Sequence, residues 1–111
     1  MTISIICPHK DAEPWVAALR EVDPSLDVQV WPNENNKADV EFALCWGHPE
    51  GVLNDYSNLR CICSMGAGID HMLTDTLLPQ HLPVIRLVDP MMAQSMFEYS
   101  LTAVMHYFRE F

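Results

Sequence analysis

The chain has 111 residues, enough for one domain with its own core, and half of them are hydrophobic, which excludes a disordered chain. No apolar run approaches the roughly 18 residues that cross a bilayer, and residues 1–6 lack the basic segment of a signal peptide, so none is expected. The net charge of −9, from six basic and fifteen acidic residues, excludes nucleic acid and anionic membrane as partners. A small anion remains open only where local amide groups overcome that field.

In chain order, residues 3–7 form an apolar, β-branched run, and Pro8 stops it. Residues 11–22 carry Trp15, Val16, Leu19 and Val22 at helical spacing, with Glu13 and Pro14 near the start. Residues 26–31 alternate apolar and polar, which suits a strand at a sheet edge. Residues 42–46 are apolar throughout and suit a central strand; residues 52–56 suit a short helix or turn. A fourth strand spans residues 61–65. It is followed by Gly66, Ala67 and Gly68, and then by a helix predicted over residues 69–78 with Asp70 in its first turn. Residues 84–88 form a fifth strand. Asp89-Pro90 is a strong helix start, and that helix runs to the end of the chain.

Strands and helices alternating at this spacing predict an α/β fold. It is a flavodoxin-like five-stranded parallel sheet in the order 2-1-3-4-5, with helices on both faces. In such sheets ligands sit beyond the carboxyl ends of the strands. The 66–68 loop and Trp46 both fall on that edge. A strand end, two glycines and a helix start bare several backbone N–H groups with a positive dipole end behind them, which suits a carboxylate or phosphate. The same glycines also suit a plain tight turn.

The loop is not a dinucleotide fingerprint, because His71 stands where GxGxxG needs its last glycine, and no GK[ST] of a P-loop exists. Residues 8–11 offer no phosphate cradle, and the ends of strands one and three lack the acidic cluster of a receiver domain. Cys7, Cys45, Cys61 and Cys63 read as buried, reduced thiols of a cytoplasmic protein. Cys61 and Cys63 share a strand face, but nothing completes a tetrahedral set, so no metal is expected. His71 reads as a surface or interface histidine without a carboxylate partner. Trp46 reads as core or as pocket wall, Glu98 as solvated or paired across an interface, and Met91, Met92 and Met96 as packing residues. In the last helix Gln94, Ser95, Glu98, Thr102, His106 and Arg109 share a polar arc. Its apolar residues spread well beyond the roughly 100° stripe a surface helix needs. The helix is therefore expected to cover its own sheet and also to touch a partner subunit or a further domain. No helix-ending signal precedes Glu110-Phe111, and the chain reads as a fragment of something longer.

Residues 61–71, CICSMGAGIDH, then residues 82–90, LPVIRLVDP, then Met96-Phe97-Glu98-Tyr99 together resemble the D-isomer-specific 2-hydroxyacid dehydrogenase family, and within it the glyoxylate/hydroxypyruvate reductase branch. Residues 43–46 fit that branch as well. The resemblance implies two domains: a flavodoxin-like substrate-binding domain, covering residues 1–111, and a Rossmann domain that binds NADPH or NADH and lies outside these residues. It implies that the amides of Met65, Gly66, Ala67 and Gly68 hold the substrate carboxylate and that Trp46 lines the pocket. The catalytic Arg, Glu and His would belong to the Rossmann domain, so no catalytic residue is expected here and the 111 residues alone should be inactive. The substrate would be a small 2-oxo or 2-hydroxy acid. One departure stands out: residues 91–95 read MMAQS where many members carry a Thr- and Ala-containing segment near the nicotinamide. The other reading is a free-standing, non-catalytic flavodoxin-like module for binding, or for self-association into a homo-oligomer through the last helix.

Overall fold

A computed structural model of the chain describes residues 1–110. Five strands, β1 (Thr2–Ile6), β2 (Asp27–Val30), β3 (Val40–Cys45), β4 (Cys61–Ser64) and β5 (Val84–Ile85), form one sheet in the order β2-β1-β3-β4-β5. Every pairing is parallel, as the alternation of strands and helices requires: Ile5 faces Val30, Ile6 faces Cys45, Cys45 faces Ser64 and Cys63 faces Ile85. The apolar third strand is central and the alternating second strand is at the edge, as their patterns predicted.

The pleat sends successive side chains to opposite faces. On one face Ile5, Cys7, Leu44, Cys63 and Met65 pack with Ala12 and Val16, under helix α1 (Glu13–Val22). On the other, Ile6, Ala43, Cys45 and Ile62 pack with Val52, Leu53, Tyr56 and Met72. These last come from a 3-10 turn over Val52–Asp55 and from helix α2 (Asp70–Leu73). Ser4 is buried on this face too, and Glu34 takes its hydroxyl at 2.7 Å together with that of Tyr56.

Four expectations are corrected. The helix predicted over residues 69–78 is a single turn, Asp70–Leu73. Asp75 ends it: its carboxylate takes the Leu77 and Gly51 amides and the His48 ring, so the side chain competes with further helix. The fifth strand keeps two residues of five because β4 stops at Ser64; past it, the Leu87 N–H reaches only the Gly66 carbonyl, at 3.2 Å. Cys61 is half-buried, not buried, since it lies at the amino end of its strand.

The largest difference is the last helix, α3 (Pro90–Arg109). Asp89 caps it as its sequence predicts, its side chain accepting the Met91 N–H at 2.9 Å. Yet α3 does not cover the sheet. None of its residues is buried, Met91, Met92 and Met96 included, and Phe97, Val104, Tyr107 and Phe108 are each more than 60% exposed. The radius of gyration is 17.4 Å, against about 13 Å for a compact chain of this length. α1, α2 and the 52–55 turn already occupy the two faces of the sheet, and the apolar surface of α3 is left without a partner inside the chain. Glu98 is solvated and accepts an intrahelical bond from Gln94. The helix ends in a left-handed Glu110, φ 57°, and Phe111 lies outside the described residues.

Candidate functional site

The carboxyl ends of β1, β3 and β4 meet at one rim of the sheet. The direction of winding reverses between β1 and β3, and this is where parallel sheets leave a crevice. Trp46 leaves the end of β3 there, its N–H bonded to the Ile6 carbonyl at 2.9 Å. Its ring packs against the α1-side core, lies 4.5 Å from the His71 ring and carries the Lys10 ammonium at 4.6 Å from its centroid. Trp46 is half-buried, and its ring lies close against Gly66 of the small-residue loop.

That loop follows β4. The Met65 N–H donates to the Cys45 carbonyl at 3.0 Å, which extends the sheet by one bond. The Gly66 N–H donates to Ser64 Oγ at 3.2 Å. Among the described residues the amides of Ala67 and Gly68 have no hydrogen-bond partner. Gly66 and Ala67 are half-exposed and Gly68 is exposed. Of the four amides that sequence pointed to, those of Met65 and Gly66 are engaged within the chain, and those of Ala67 and Gly68 are not.

Neither glycine of the loop has positive φ; Gly47 and Gly51 do. The need at position 66 is for space. A Cβ there would lie 2.9 Å from Trp46 Cζ3 and 3.4 Å from Cη2. At position 68 it would meet only Asp70 Oδ1, at 3.2 Å.

Beneath the loop lies a polar cluster that sequence reasoning missed. Ser64 is buried, and its hydroxyl donates to the Gly68 carbonyl at 2.7 Å. His71, expected at the surface or at an interface, is half-buried and tied into the site: Nε2 is 3.1 Å from Ser64 Oγ, and Nδ1 accepts the Gly47 N–H at 3.3 Å. Burial, with His48 close by, pushes the His71 imidazole below its ordinary value against the pull of Asp70 and of the Gly68 backbone. One signal was available: a hydroxyl within the apolar run CICSM must find partners once buried.

A second pair lies nearby. His48 Nε2 and Asp75 Oδ2 are 2.8 Å apart, and both side chains are buried. Burial raises the Asp75 carboxyl, but the His48 bond and the Leu77 and Gly51 amides outweigh it and leave it below the usual carboxylate range. Burial raises the thiols of Cys7, Cys45, Cys61 and Cys63, which disfavours the reactive thiolate. Among the described residues no group of three or more His, Cys, Asp or Glu is placed to hold a metal ion. No helix among them is long and apolar enough to cross a membrane. On the other side of the loop an open cleft of about 180 Å³ is lined by Ala67, Arg86, Leu87, Asp89, Met92 and Met96, with Arg86 Nη1 3.4 Å from the Ala67 carbonyl.

No protein-family model matches the chain. Over its whole length it is 37% identical to glyoxylate/hydroxypyruvate reductase A of Serratia proteamaculans, and it covers 37% of that protein. It superposes with a TM-score of 0.85 on a D-isomer specific 2-hydroxyacid dehydrogenase from Xanthobacter autotrophicus, solved with NADPH and MES. That match has 30% identity and covers 96% of this chain and 35% of the other. An NADPH-dependent glyoxylate/hydroxypyruvate reductase from Sinorhizobium meliloti, solved with NADP and sulfate, gives a TM-score of 0.78 at 25% identity, over 98% of this chain and 35% of the other. The chain thus spans little more than a third of the length of the relatives it matches. Sequence and fold together relate it, from end to end, to the D-isomer-specific 2-hydroxyacid dehydrogenases.

Proposed function

We propose that these residues form the substrate-binding lobe of an NAD(P)H-dependent 2-oxoacid reductase of the glyoxylate/hydroxypyruvate type, a cytoplasmic enzyme. The observation that carries the reading is the pair of unbonded amides at Ala67 and Gly68, on a small-residue loop at the carboxyl rim of the sheet. They hold the substrate carboxylate, each charge-assisted bond contributing about 1.5–3 kcal/mol. Met65 and Gly66 place the turn, and Trp46 walls the pocket and excludes water from one side. The nicotinamide supplies hydride when bound; it is NADPH or NADH, held by a Rossmann domain outside these residues together with the catalytic Arg, Glu and His. On this reading the 111 residues bind but do not turn over.

The test is a titration of the 15N-labelled chain with glyoxylate. The Ala67 and Gly68 amides shift saturably and those of β2 do not. Absence of any shift at Ala67 and Gly68 removes the reading.

The exposed apolar surface of α3 favours an addition drawn from the second reading. Monomeric proteins rarely expose a contiguous apolar patch beyond a few hundred Å². We infer that α3 pairs with another copy of the chain. Light scattering then gives a mass above that of one chain, and Val104→Glu with Phe108→Glu returns it to one. A monodisperse wild-type monomer rejects this addition and leaves the carboxylate reading standing.

A further inference from the structure

We propose that His71, as the neutral tautomer protonated on Nε2, is the positioning residue that sets the carboxylate-holding loop, and that charging it weakens the grip on a carboxylate. This rests on the carboxylate reading above. The hydrogen-bond geometry leaves one arrangement of protons. The Gly47 amide can only donate, so His71 Nδ1 at 3.3 Å carries a lone pair, and the ring proton is on Nε2. Nε2–H then donates to Ser64 Oγ at 3.1 Å. The Ser64 hydroxyl has one proton, and it goes to the Gly68 carbonyl at 2.7 Å. The two lone pairs of Oγ take Nε2–H and the Gly66 N–H at 3.2 Å. Every donor and acceptor of the Ser64 hydroxyl is used.

The consequence is mechanical. His71 on α2 joins the end of β3, through Gly47, to the loop after β4, through Ser64, Gly66 and Gly68. Its ring also packs at 4.5 Å, tilted by 51°, against Trp46, the residue whose ring leaves no room for a side chain at position 66. Wall and loop are therefore held at one separation by one ring. An imidazolium would carry a proton on Nδ1 as well, facing the Gly47 N–H. Two donors cannot share that bond, so Gly47 and Trp46 move away from the loop. The charged and titratable groups around the ring are Asp70 on its own helix, His48 from the β3 loop, Asp75 paired with His48, and Lys10 over the Trp46 ring.

This gives a sign that plain electrostatics does not. An imidazolium beside an anion site should tighten carboxylate binding as pH falls. Loss of the Gly47 bond should loosen it. If only the neutral form holds the loop, apparent glyoxylate affinity falls about elevenfold one pH unit below the His71 midpoint.

The experiment has two arms on the 15N-labelled chain. Without ligand, imidazole nitrogen shifts report the His71 tautomer. With glyoxylate, the Ala67 and Gly68 shifts report affinity across the His71 titration. The expected result is an Nε2–H ring at neutral pH and affinity that drops as the ring charges. His71→Asn puts an oxygen near Nδ1 that still accepts from Gly47 and does not titrate, so it binds with a flat pH profile. His71→Phe keeps the ring contact with Trp46 and loses both bonds, so it binds weakly at every pH. An Nδ1–H tautomer, affinity that rises as the ring charges, or wild-type affinity in His71→Phe overturns the proposal. The predicted tautomer with no glyoxylate shift at any pH instead overturns the carboxylate reading, and the first arm tells the two failures apart.

Discussion

Gly66→Ala tests the packing of the candidate site directly. Carbon atoms attract best at about 3.5–4.0 Å, and the added methyl would stand 2.9 Å from Trp46 Cζ3, an intrusion of roughly 0.6–1 Å. The Trp46 ring cannot yield freely, because His71 lies against it at 4.5 Å and Lys10 at 4.6 Å. Overpacking of this kind costs about 1–3 kcal/mol. For a chain of this size that is a fall in Tm of about 4 °C per kcal/mol, so roughly 4–12 °C. Thermal and urea unfolding by circular dichroism measure it. The argument is sharpened by a double-mutant cycle with Trp46→Leu, whose shorter side chain vacates the contact. Gly66→Ala should cost under about 0.5 kcal/mol in that background. Equal costs in both backgrounds would refute the claim that Trp46 is the reason for a glycine at 66, and would point instead to the backbone.

Gly68→Ala is the contrast: its methyl meets only the exposed, movable Asp70 carboxylate, and stability should change by less than about 0.5 kcal/mol by urea unfolding. Asp75→Asn breaks the buried pair with His48 and should cost roughly 3 kcal/mol by the same measurement. The Asp75 carboxyl is held below its unfolded value, so its contribution is complete above the unfolded pKa of about 3.9 and is lost as pH falls through the folded value. Wild-type stability should therefore decline below about pH 4, and Asp75→Asn should show a shallower decline there. Asp89→Ala removes the cap of α3, worth about 1 kcal/mol to the helix. Because no residue of α3 is buried, helical circular dichroism should fall while the Tm of the sheet stays within about 2 °C.

Local patterns in the chain were enough for the α/β class and the strand order. The apolar runs of β1 and β3, the alternation in β2 and the Asp89-Pro90 start each report their own environment, because periodicity and caps are written in neighbouring residues. The location of the loop at the carboxyl rim follows from those elements too. What sequence did not reveal depends on residues far apart along the chain. Helix α2 is short because the partner of Asp75, His48, lies 27 residues earlier. His71 is tied into the site through Gly47, 24 residues earlier. Gly66 is needed for the Trp46 ring that packs on it and not for its own dihedral angles. The spread of apolar residues on α3 declared a surface that wants cover, but a helical pattern holds no information on which surface supplies it. That is decided in three dimensions, where the faces of the sheet are already filled by α1, α2 and the 52–55 turn.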